Sequence, residues 1–379
     1  MRKFLAIVCL GVVAFFFLEN KTSVRQDELF KVLSSENWKP GDREKELNII
    51  VGMDYIPYKF IELFEDLTGI KVTVDVFDSN EILEAKLLAG GAQYDLVFPT
   101  AWPHFSRQLQ AEIYSKIDKT KIDLSAFDSD IMQRLAKYDE NNDHALPFQF
   151  GISGIGINED LVDKILPNAN KNSLSLIFDP ENAAKLSQYR IALYESSDEL
   201  FPALLAYLGL DPESENEADI TVAANHLKKI KQYVAKYTSF GFEDLASKNA
   251  CIAFSTSGDI AEVMKNDPTS KVRFYCPKEG ASLWVDVVAI PKKARHVANA
   301  HLFLKFLFNP RVIAEITNHT SRANAVIKAN QYIAKRLIDN PDIYPSEERR
   351  AKCYIEKPVS PKIETLKTKL LTVIKSTRN

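Results

Sequence analysis

The chain has 379 residues, a formal net charge of -3, 46% hydrophobic residues and 26% charged residues. This length usually exceeds what one compact core holds, so we expect two lobes, and the composition excludes a disordered or coiled-coil protein. The slightly acidic balance argues against nucleic-acid binding, which needs a basic surface to displace counterions from phosphates.

The N-terminus has the pattern of an export signal. Arg2 and Lys3 precede an uncharged apolar run over residues 4–18, and polar residues follow it. A basic start and an apolar stretch of about 7–15 residues are typical of a secretory signal, whereas a membrane-spanning helix needs about 20 apolar residues. We predict a signal peptide or N-terminal anchor over residues 1–20 and a flexible linker over 21–45. The protein is then periplasmic, either free or tethered to the inner membrane.

The first regular elements alternate between strand and helix patterns. Strand patterns occupy residues 47–51, 70–76 and 95–99. One helix pattern begins at Pro57 and ends at Gly69, and a second begins after Ser79 and ends at Gly90. This β-α-β-α-β order predicts a parallel sheet with right-handed crossovers.

The middle and end of the chain continue the α/β pattern. Residues 144–157 form a long, glycine-punctuated extended run, which we expect to cross between lobes, and residues 220–237 have the pattern of one amphipathic helix. From residue 294 onward the chain is mainly helical. Further strands are predicted over residues 190–194, 251–254, 272–276 and 283–290, with helices over 200–208 and 361–376.

Three cysteines follow the predicted signal, namely Cys251, Cys276 and Cys353. Their number is odd and no two have the spacing of a metal site. Two interpretations stay open: small buried thiols, or a pair formed by Cys251 and Cys276 in an oxidising compartment.

No recognisable catalytic motif occurs in the sequence. It contains no HExxH, no GxSxG and no GxxxxGK[ST] segment, and the glycines at 151, 154 and 156 do not form a dinucleotide-binding fingerprint. We therefore predict a protein that is not an enzyme, with no cofactor and no metal.

Acidic and aromatic side chains follow several predicted strands, where open α/β sheets bind ligands. Residues 195–199 combine hydroxyls and carboxylates at the start of a helix. Asp286 lies within an apolar strand, where a carboxylate costs free energy unless it meets a cation or several donors. The other members of this set are Asp54, Tyr55, Thr100, Trp102 and Trp284.

Five segments together resemble the periplasmic spermidine/putrescine-binding proteins. They are residues 55–57, 68–74, 78–81, 94–100 and 277–291. The resemblance covers residues 46–376 and implies a type II periplasmic-binding fold, with a ligand cleft between two lobes that each hold a mixed sheet flanked by helices. It implies lobe 1 over residues 46–146 and 287–332, and lobe 2 over 147–286 and 333–379. It also implies a monomer that closes over a polyamine and docks on the permease of an ABC importer.

The resemblance carries over to a set of ligand-binding positions. These are Asp54, Tyr55, Thr100, Trp102, Glu199, Phe254, Trp284 and Asp286. The chain departs from the family at two further positions. Ser196 replaces the first of two acids three residues apart, and Arg322 stands where an aromatic residue is common.

Both departures reduce the negative charge of the predicted site, and a guanidinium repels an ammonium group. Two alternatives to a polyamine ligand therefore stay open. The first keeps the fold and the transport role but changes the ligand to another amine, an amino-acid derivative or a small anion held by Arg322. The second is a sensor or adaptor that docks on a membrane partner.

Overall fold

The structure is a computed structural model that describes residues 45–89, 93–355 and 360–377. The predicted signal and nearly all of the predicted linker lie outside the described residues, as does the helix end predicted at Gly90. Within the described ranges, every helix is too short or too polar to cross a bilayer.

Ten strands in the described part of the chain form one mixed sheet. Its order is β2-β1-β3-β9-β4-β7-β5-β6, and β8 and β10 pair with β4. The strands are β1 (Glu46–Gly52), β2 (Lys71–Phe77), β3 (Leu96–Val97), β4 (Ala145–Asn158), β5 (Ile191–Leu193), β6 (Val234–Tyr237), β7 (Ile252–Thr256), β8 (Val272–Tyr275), β9 (Leu283–Ala289) and β10 (Ala323–Asn324).

Sixteen α-helices flank the sheet within the described residues, together with short 3-10 turns and one π-helical turn (Ala101–Phe105). The α-helices are α1 (Tyr58–Thr68), α2 (Asn80–Ala89), α3 (Ser106–Gln110), α4 (Ser129–Leu135), α5 (Glu159–Ile165), α6 (Ser175–Phe178), α7 (Pro180–Leu186), α8 (Ser197–Tyr207), α9 (Glu217–Ile230), α10 (Gly241–Ala246), α11 (Ser257–Asn266), α12 (Val297–Leu307), α13 (Pro310–Thr320), α14 (Lys335–Ile338), α15 (Glu347–Ala351) and α16 (Pro361–Ser376).

The predicted β-α-β-α-β start of the chain is confirmed. Strand β1 pairs in parallel with both β2 and β3, so the first strand lies between the next two. Helix α1 ends where Gly69 adopts the left-handed conformation, with φ +70, and its amide donates to the Glu65 carbonyl at 2.7 Å. Glycine suits this position because it has no Cβ to clash with the backbone. The α/β class follows from this arrangement.

Strand β4 links the two parts of the sheet. Its 14 residues are all buried. Residues 145–152 pair with β9, whereas residues 153–158 pair with β7 and β8. We call β1, β2, β3, β9, β10 and residues 145–152 the first half-sheet, and β5 to β8 with residues 153–158 the second. The buried apolar residues form two core clusters. One contains the first half-sheet and also Ala192, Ala253, Val272 and Phe274 of the second, and the other contains the remaining buried apolar residues of β5 and β7 with the helices that cover them. The exact lobe boundaries stay a prediction.

A glycine lets two helices pack closely on β4. A Cβ atom on Gly156 would lie 2.7 Å from side-chain atoms of both Leu245 and Ile260. Two helices, α10 and α11, therefore approach the strand more closely than any larger residue would allow. The glycine-punctuated extended run predicted from the sequence is confirmed as this strand.

One expectation needs correction, and one open alternative is decided. The helix predicted over residues 220–237 ends at Ile230, because residues 234–237 form β6 and pair in parallel with β5. Pairing between distant segments overrides the helical periodicity of the local sequence. Of the two interpretations left open for the cysteines, the structure agrees with small buried thiols rather than a Cys251–Cys276 pair, since all three described cysteines are buried and free. The Cys251 thiol contacts the carbonyl oxygens of Leu186 and Arg190, whereas Cys276 interacts with Cys353.

Candidate functional site

A small cavity of about 40 Å³ lies between the two half-sheets. Thr100 and Trp102 reach it from the segment after β3, Trp284 from β9, and Glu199 from the first turn of α8. Residues at the ends of several strands therefore converge, as expected for the ligand cleft of an open α/β sheet. Tyr138, Ser282, Leu283 and Ile355 also line the cavity.

Glu199 supplies the acidic group of this cavity. Ser196 caps α8 by accepting a 3.2 Å hydrogen bond from the Asp198 amide, which sets the direction of the first turn. The Oε2 atom of Glu199 is buried and has no hydrogen-bond partner among the described residues. Burial raises the pKa of the Glu199 carboxyl to about 7; the Ser153 hydroxyl opposes this shift and the Asp198 carboxylate adds to it.

Aromatic rings form the walls around this carboxyl group. Trp102 stacks on Tyr138 with ring centres 6.1 Å apart and ring planes 16° apart. Trp284 lies directly over Gly151, where a Cβ atom would come within 2.3 Å of the indole ring. The indole Nε1 atom of Trp284 is a buried donor with no partner among the described side chains and backbone. The cavity thus combines ring faces, one unpaired acceptor and one unpaired donor.

A second acidic group lies beside the cavity. Asp286 is buried in β9 and accepts hydrogen bonds from the Thr100 hydroxyl at 2.7 Å and the Gln149 amide at 2.9 Å. The Tyr55 hydroxyl is a third donor to this carboxylate. Burial raises the pKa of Asp286, while its hydrogen-bond donors lower it. Most of the hydrogen-bonding capacity of Asp286 is therefore used within the protein.

Arg322 faces the Asp286 group from the segment before β10. Its guanidinium carbon lies 5.5 Å from the centre of the Tyr55 ring, and its Nη2 atom lies 3.5 Å from an oxygen of Asp259. Asp259 belongs to α11, which follows β7, so this ion pair joins the two half-sheets. The charge of Arg322 also acts to lower the pKa of Asp286. A protein cation thus occupies the space next to the second acidic group.

Six of the ten predicted ligand-binding residues do not line the cavity. Tyr55, Asp286 and Arg322 form the group beside it, and the other three lie elsewhere. Asp54 is exposed in a turn, with φ +58, and its electrostatic neighbour is His319. Ser196 is exposed and serves as the cap of α8. Phe254 is buried in the core of the second half-sheet, edge-on to Tyr194 at 5.3 Å. A ligand-binding role for these three side chains stays a prediction.

Several residues that support the site were not identified from the sequence. The side-chain amide of Asn80 donates a 3.0 Å hydrogen bond to the Thr100 hydroxyl, and the backbone amide of Thr100 donates a 3.0 Å hydrogen bond to the Asn80 side-chain oxygen. These two bonds orient the Thr100 hydroxyl toward Asp286. Gln149 is a polar residue within the fully buried strand β4, and that pattern alone signals a need for a buried partner. Tyr138 and Asp259 carry no such signal, because only the tertiary fold brings them to the cleft.

The family model for the bacterial extracellular solute-binding proteins matches residues 59–343. The chain belongs to this family. Among curated relatives, the solute-binding protein is 39% identical over 341 residues to the putrescine-binding periplasmic protein SpuD of Pseudomonas aeruginosa, covering 88% of this chain and 92% of the relative. It is 37% identical over 341 residues to the putrescine-binding periplasmic protein PotF of Escherichia coli, with the same shares of both chains.

A solved structure confirms the fold of this solute-binding protein. The spermidine/putrescine ABC transporter substrate-binding protein PotD of Streptococcus pneumoniae superposes with a TM-score of 0.77 at 20% identity, covering 88% of this chain and 99% of the other. At that identity the likeness establishes the fold alone. The predicted resemblance to the spermidine/putrescine-binding proteins is confirmed by the sequence relatives.

Proposed function

We propose that this solute-binding protein captures a short polyamine, putrescine in the first instance, outside the cytoplasm and delivers it to an ABC importer. The observation that carries the proposal is the unpaired, buried Glu199 oxygen enclosed by Trp102 and Trp284. A buried carboxylate and flat ring faces are the groups that bind an ammonium ion in a desolvated cleft. The names of the two curated relatives support the same ligand.

The expected interaction free energies are large enough for micromolar binding of a polyamine. A hydrogen bond to a charged group contributes about 1.5–3 kcal/mol. A desolvated cation–π contact contributes about 2 kcal/mol. Several such contacts at Glu199, Trp102 and Trp284 can supply the roughly 8 kcal/mol of a micromolar complex after the costs of association. The methylene chain of the ligand would lie along the two indole rings.

We propose that the two lobes open and close during transport. Closure of the two lobes would exclude water from the cleft and create a surface that the permease distinguishes from the open form. We propose a monomer that works in the periplasm, without an enzymatic activity of its own. The family and the periplasmic relatives support the transport role.

A second candidate ligand rests on Arg322. Its guanidinium lies beside Tyr55 and Asp259 and repels a second ammonium group at that end of the cleft. A ligand with one ammonium and one carboxylate, such as an ω-amino acid, would place its acid toward Arg322 and its amine toward Glu199. Fixed guanidinium forks bind carboxylates well.

Isothermal titration calorimetry distinguishes the two candidates. The panel contains putrescine, 4-aminobutanoate, butylamine and butane-1,4-diol, which share a four-carbon chain and differ in end groups. The polyamine proposal predicts that putrescine binds at least about tenfold more tightly than the other three compounds, a difference of about 1.4 kcal/mol. Tighter binding of 4-aminobutanoate would favour the second candidate, and equal affinity for the diol would overturn both.

A further inference from the structure

Two buried thiols meet near the ligand cavity. Cys276 follows β8 and Cys353 follows α15, and the two side chains interact with each other. The Cys353 thiol also donates to the Arg349 carbonyl at 3.4 Å, and the Cys276 thiol contacts the Pro277 carbonyl at 3.9 Å. The third described thiol, Cys251, contacts the Leu186 and Arg190 carbonyls instead.

Backbone hydrogen bonds hold the two segments side by side. The Tyr354 amide donates to the Ala281 carbonyl at 3.0 Å, and the Leu283 amide donates to the Tyr354 carbonyl at 2.9 Å. Ser282 and Tyr354 form a parallel bridge between the segments. These backbone contacts hold the segment that follows Cys276 against the segment that contains Cys353, and the two buried thiols interact with each other beside them.

We propose that Cys276 and Cys353 form a disulfide bond when the protein is in an oxidising compartment. The inference rests on the export of the chain and is independent of the ligand. The oxidant is a disulfide, either oxidised glutathione or the active-site disulfide of a thiol oxidoreductase. The two protein thiols lose two protons and two electrons, and the oxidant accepts both electrons as its disulfide is reduced to two thiols.

The oxidation proceeds in two exchange steps. The thiolate of one of the two cysteines attacks the disulfide of the oxidant and forms a mixed disulfide, releasing one thiol. The thiolate of the other cysteine then attacks the protein sulfur of this mixed disulfide and releases the second thiol.

The bond would act on the wall of the cavity. Ile355 lies two residues after Cys353, and Ser282 and Leu283 lie on the segment that pairs with Tyr354; all three line the cavity. Oxidation would tether these two wall segments to each other. We expect the oxidised protein to unfold at a higher temperature than the reduced protein, because the cross-link restricts the unfolded chain.

The test uses the mature chain after incubation with oxidised or reduced glutathione. Thiol titration of the denatured protein should fall from the three described free cysteines to one, and peptide mapping should find Cys276 linked to Cys353. The Cys251→Ser variant serves as the matched control and should still form the bond, whereas Cys276→Ser and Cys353→Ser should not.

Peptide mapping of the wild-type chain shows whether Cys276 and Cys353 are linked, even if a variant fails to fold. Three titratable thiols after oxidation, or a link that involves Cys251, would overturn the inference. Because the readout is a covalent bond, it does not depend on whether the protein binds putrescine. Failure of the proposed ligand and failure of the proposed bond are therefore separate outcomes.

Discussion

The guanidinium carbon of Arg322 lies 5.5 Å from the centre of the Tyr55 ring, within reach of a cation–π contact. The same ring carries the hydroxyl that donates to Asp286. One end of the cleft therefore already has a protein cation next to its acidic group. At the other end, Glu199 has an unpaired oxygen, so the two ends of the cleft differ in the charge that they offer to a ligand.

Replacing Arg322 should change ligand selectivity. In Arg322→Gln we expect putrescine to bind about tenfold more tightly, because a like charge is removed from the vicinity of the second ammonium; tenfold corresponds to about 1.4 kcal/mol. The control is Arg311→Gln, which removes a guanidinium that lies 4.4 Å from the Tyr332 ring and lines no part of the cavity. Calorimetry with putrescine and 4-aminobutanoate measures both effects. Weaker putrescine binding by Arg322→Gln would show that Arg322 supports the ligand.

Replacing Glu199 should remove most of the affinity for an amine. Glu199→Gln keeps the size of the side chain but loses the charge, so putrescine should bind about 10- to 100-fold more weakly, in line with about 1.5–3 kcal/mol for a charged hydrogen bond. Glu195→Gln is the matched control, because Glu195 is exposed just before the same helix and contacts Ser239. Equal affinities of the two variants would contradict the role of Glu199.

The raised pKa of Glu199 also predicts a pH dependence of stability. Its pKa is about 7 in the folded protein and close to 4.5 when exposed, so the folded state holds the proton more tightly. The stability contributed by the protonated form is present below about pH 4.5 and is lost as the pH rises through 7. We expect this group to lower the free energy of unfolding by on the order of 3 kcal/mol across that window.

Chemical denaturation of the ligand-free protein at pH 5, 6, 7 and 8 measures this effect. Glu199→Gln has no proton to lose, so its stability should change less over the same range than that of the wild type. Parallel pH profiles for the two proteins would show that the carboxyl ionises normally.

A glycine on β4 sets the position of Trp284. Gly151→Ala would place a Cβ atom 2.3 Å from the indole ring, so the ring must move out of its place in the cavity. We expect a loss of about 1–3 kcal/mol in stability from overpacking. We also expect weaker putrescine binding. In the double variant Gly151→Ala/Trp284→Leu, the smaller side chain should restore much of the stability but not the affinity. Wild-type affinity of Gly151→Ala would show that Trp284 is not a wall of the ligand site.

The sequence predicts the order of helices and strands along the chain well, but it predicts the pairing between strands only in part. The start of the chain was predicted correctly because apolar periodicity, Pro57 and Gly69 act locally. The end of α9 was missed because β6 exists only through its pairing with β5, a contact that periodicity does not encode. The C-terminal helix was predicted with its observed bounds, residues 361–376, since proline marks its first turn.

The sequence predicts which types of residue form the candidate site, but not which individual side chains point into it. Glu199, Trp102 and Trp284 follow or lie in predicted strands and do meet in one cavity. Asp54 also follows a predicted strand, and Phe254 was expected from the family resemblance, yet Asp54 is exposed and Phe254 lies in a core. Neither a strand-end position nor a matching motif fixes the direction of a side chain.

Proton release on ligand binding tests the central claim most directly. Burial raises the pKa of the Glu199 carboxyl to about 7, so near neutral pH the free protein holds a proton there that a bound ammonium should displace. Calorimetric titrations of putrescine at pH 6 and 7 in buffers of different ionisation enthalpy should therefore show proton release on binding, larger at pH 6 than at pH 7, and Glu199→Gln should show none. Putrescine binding with no proton release in the wild type, or equal release in Glu199→Gln, would contradict the account.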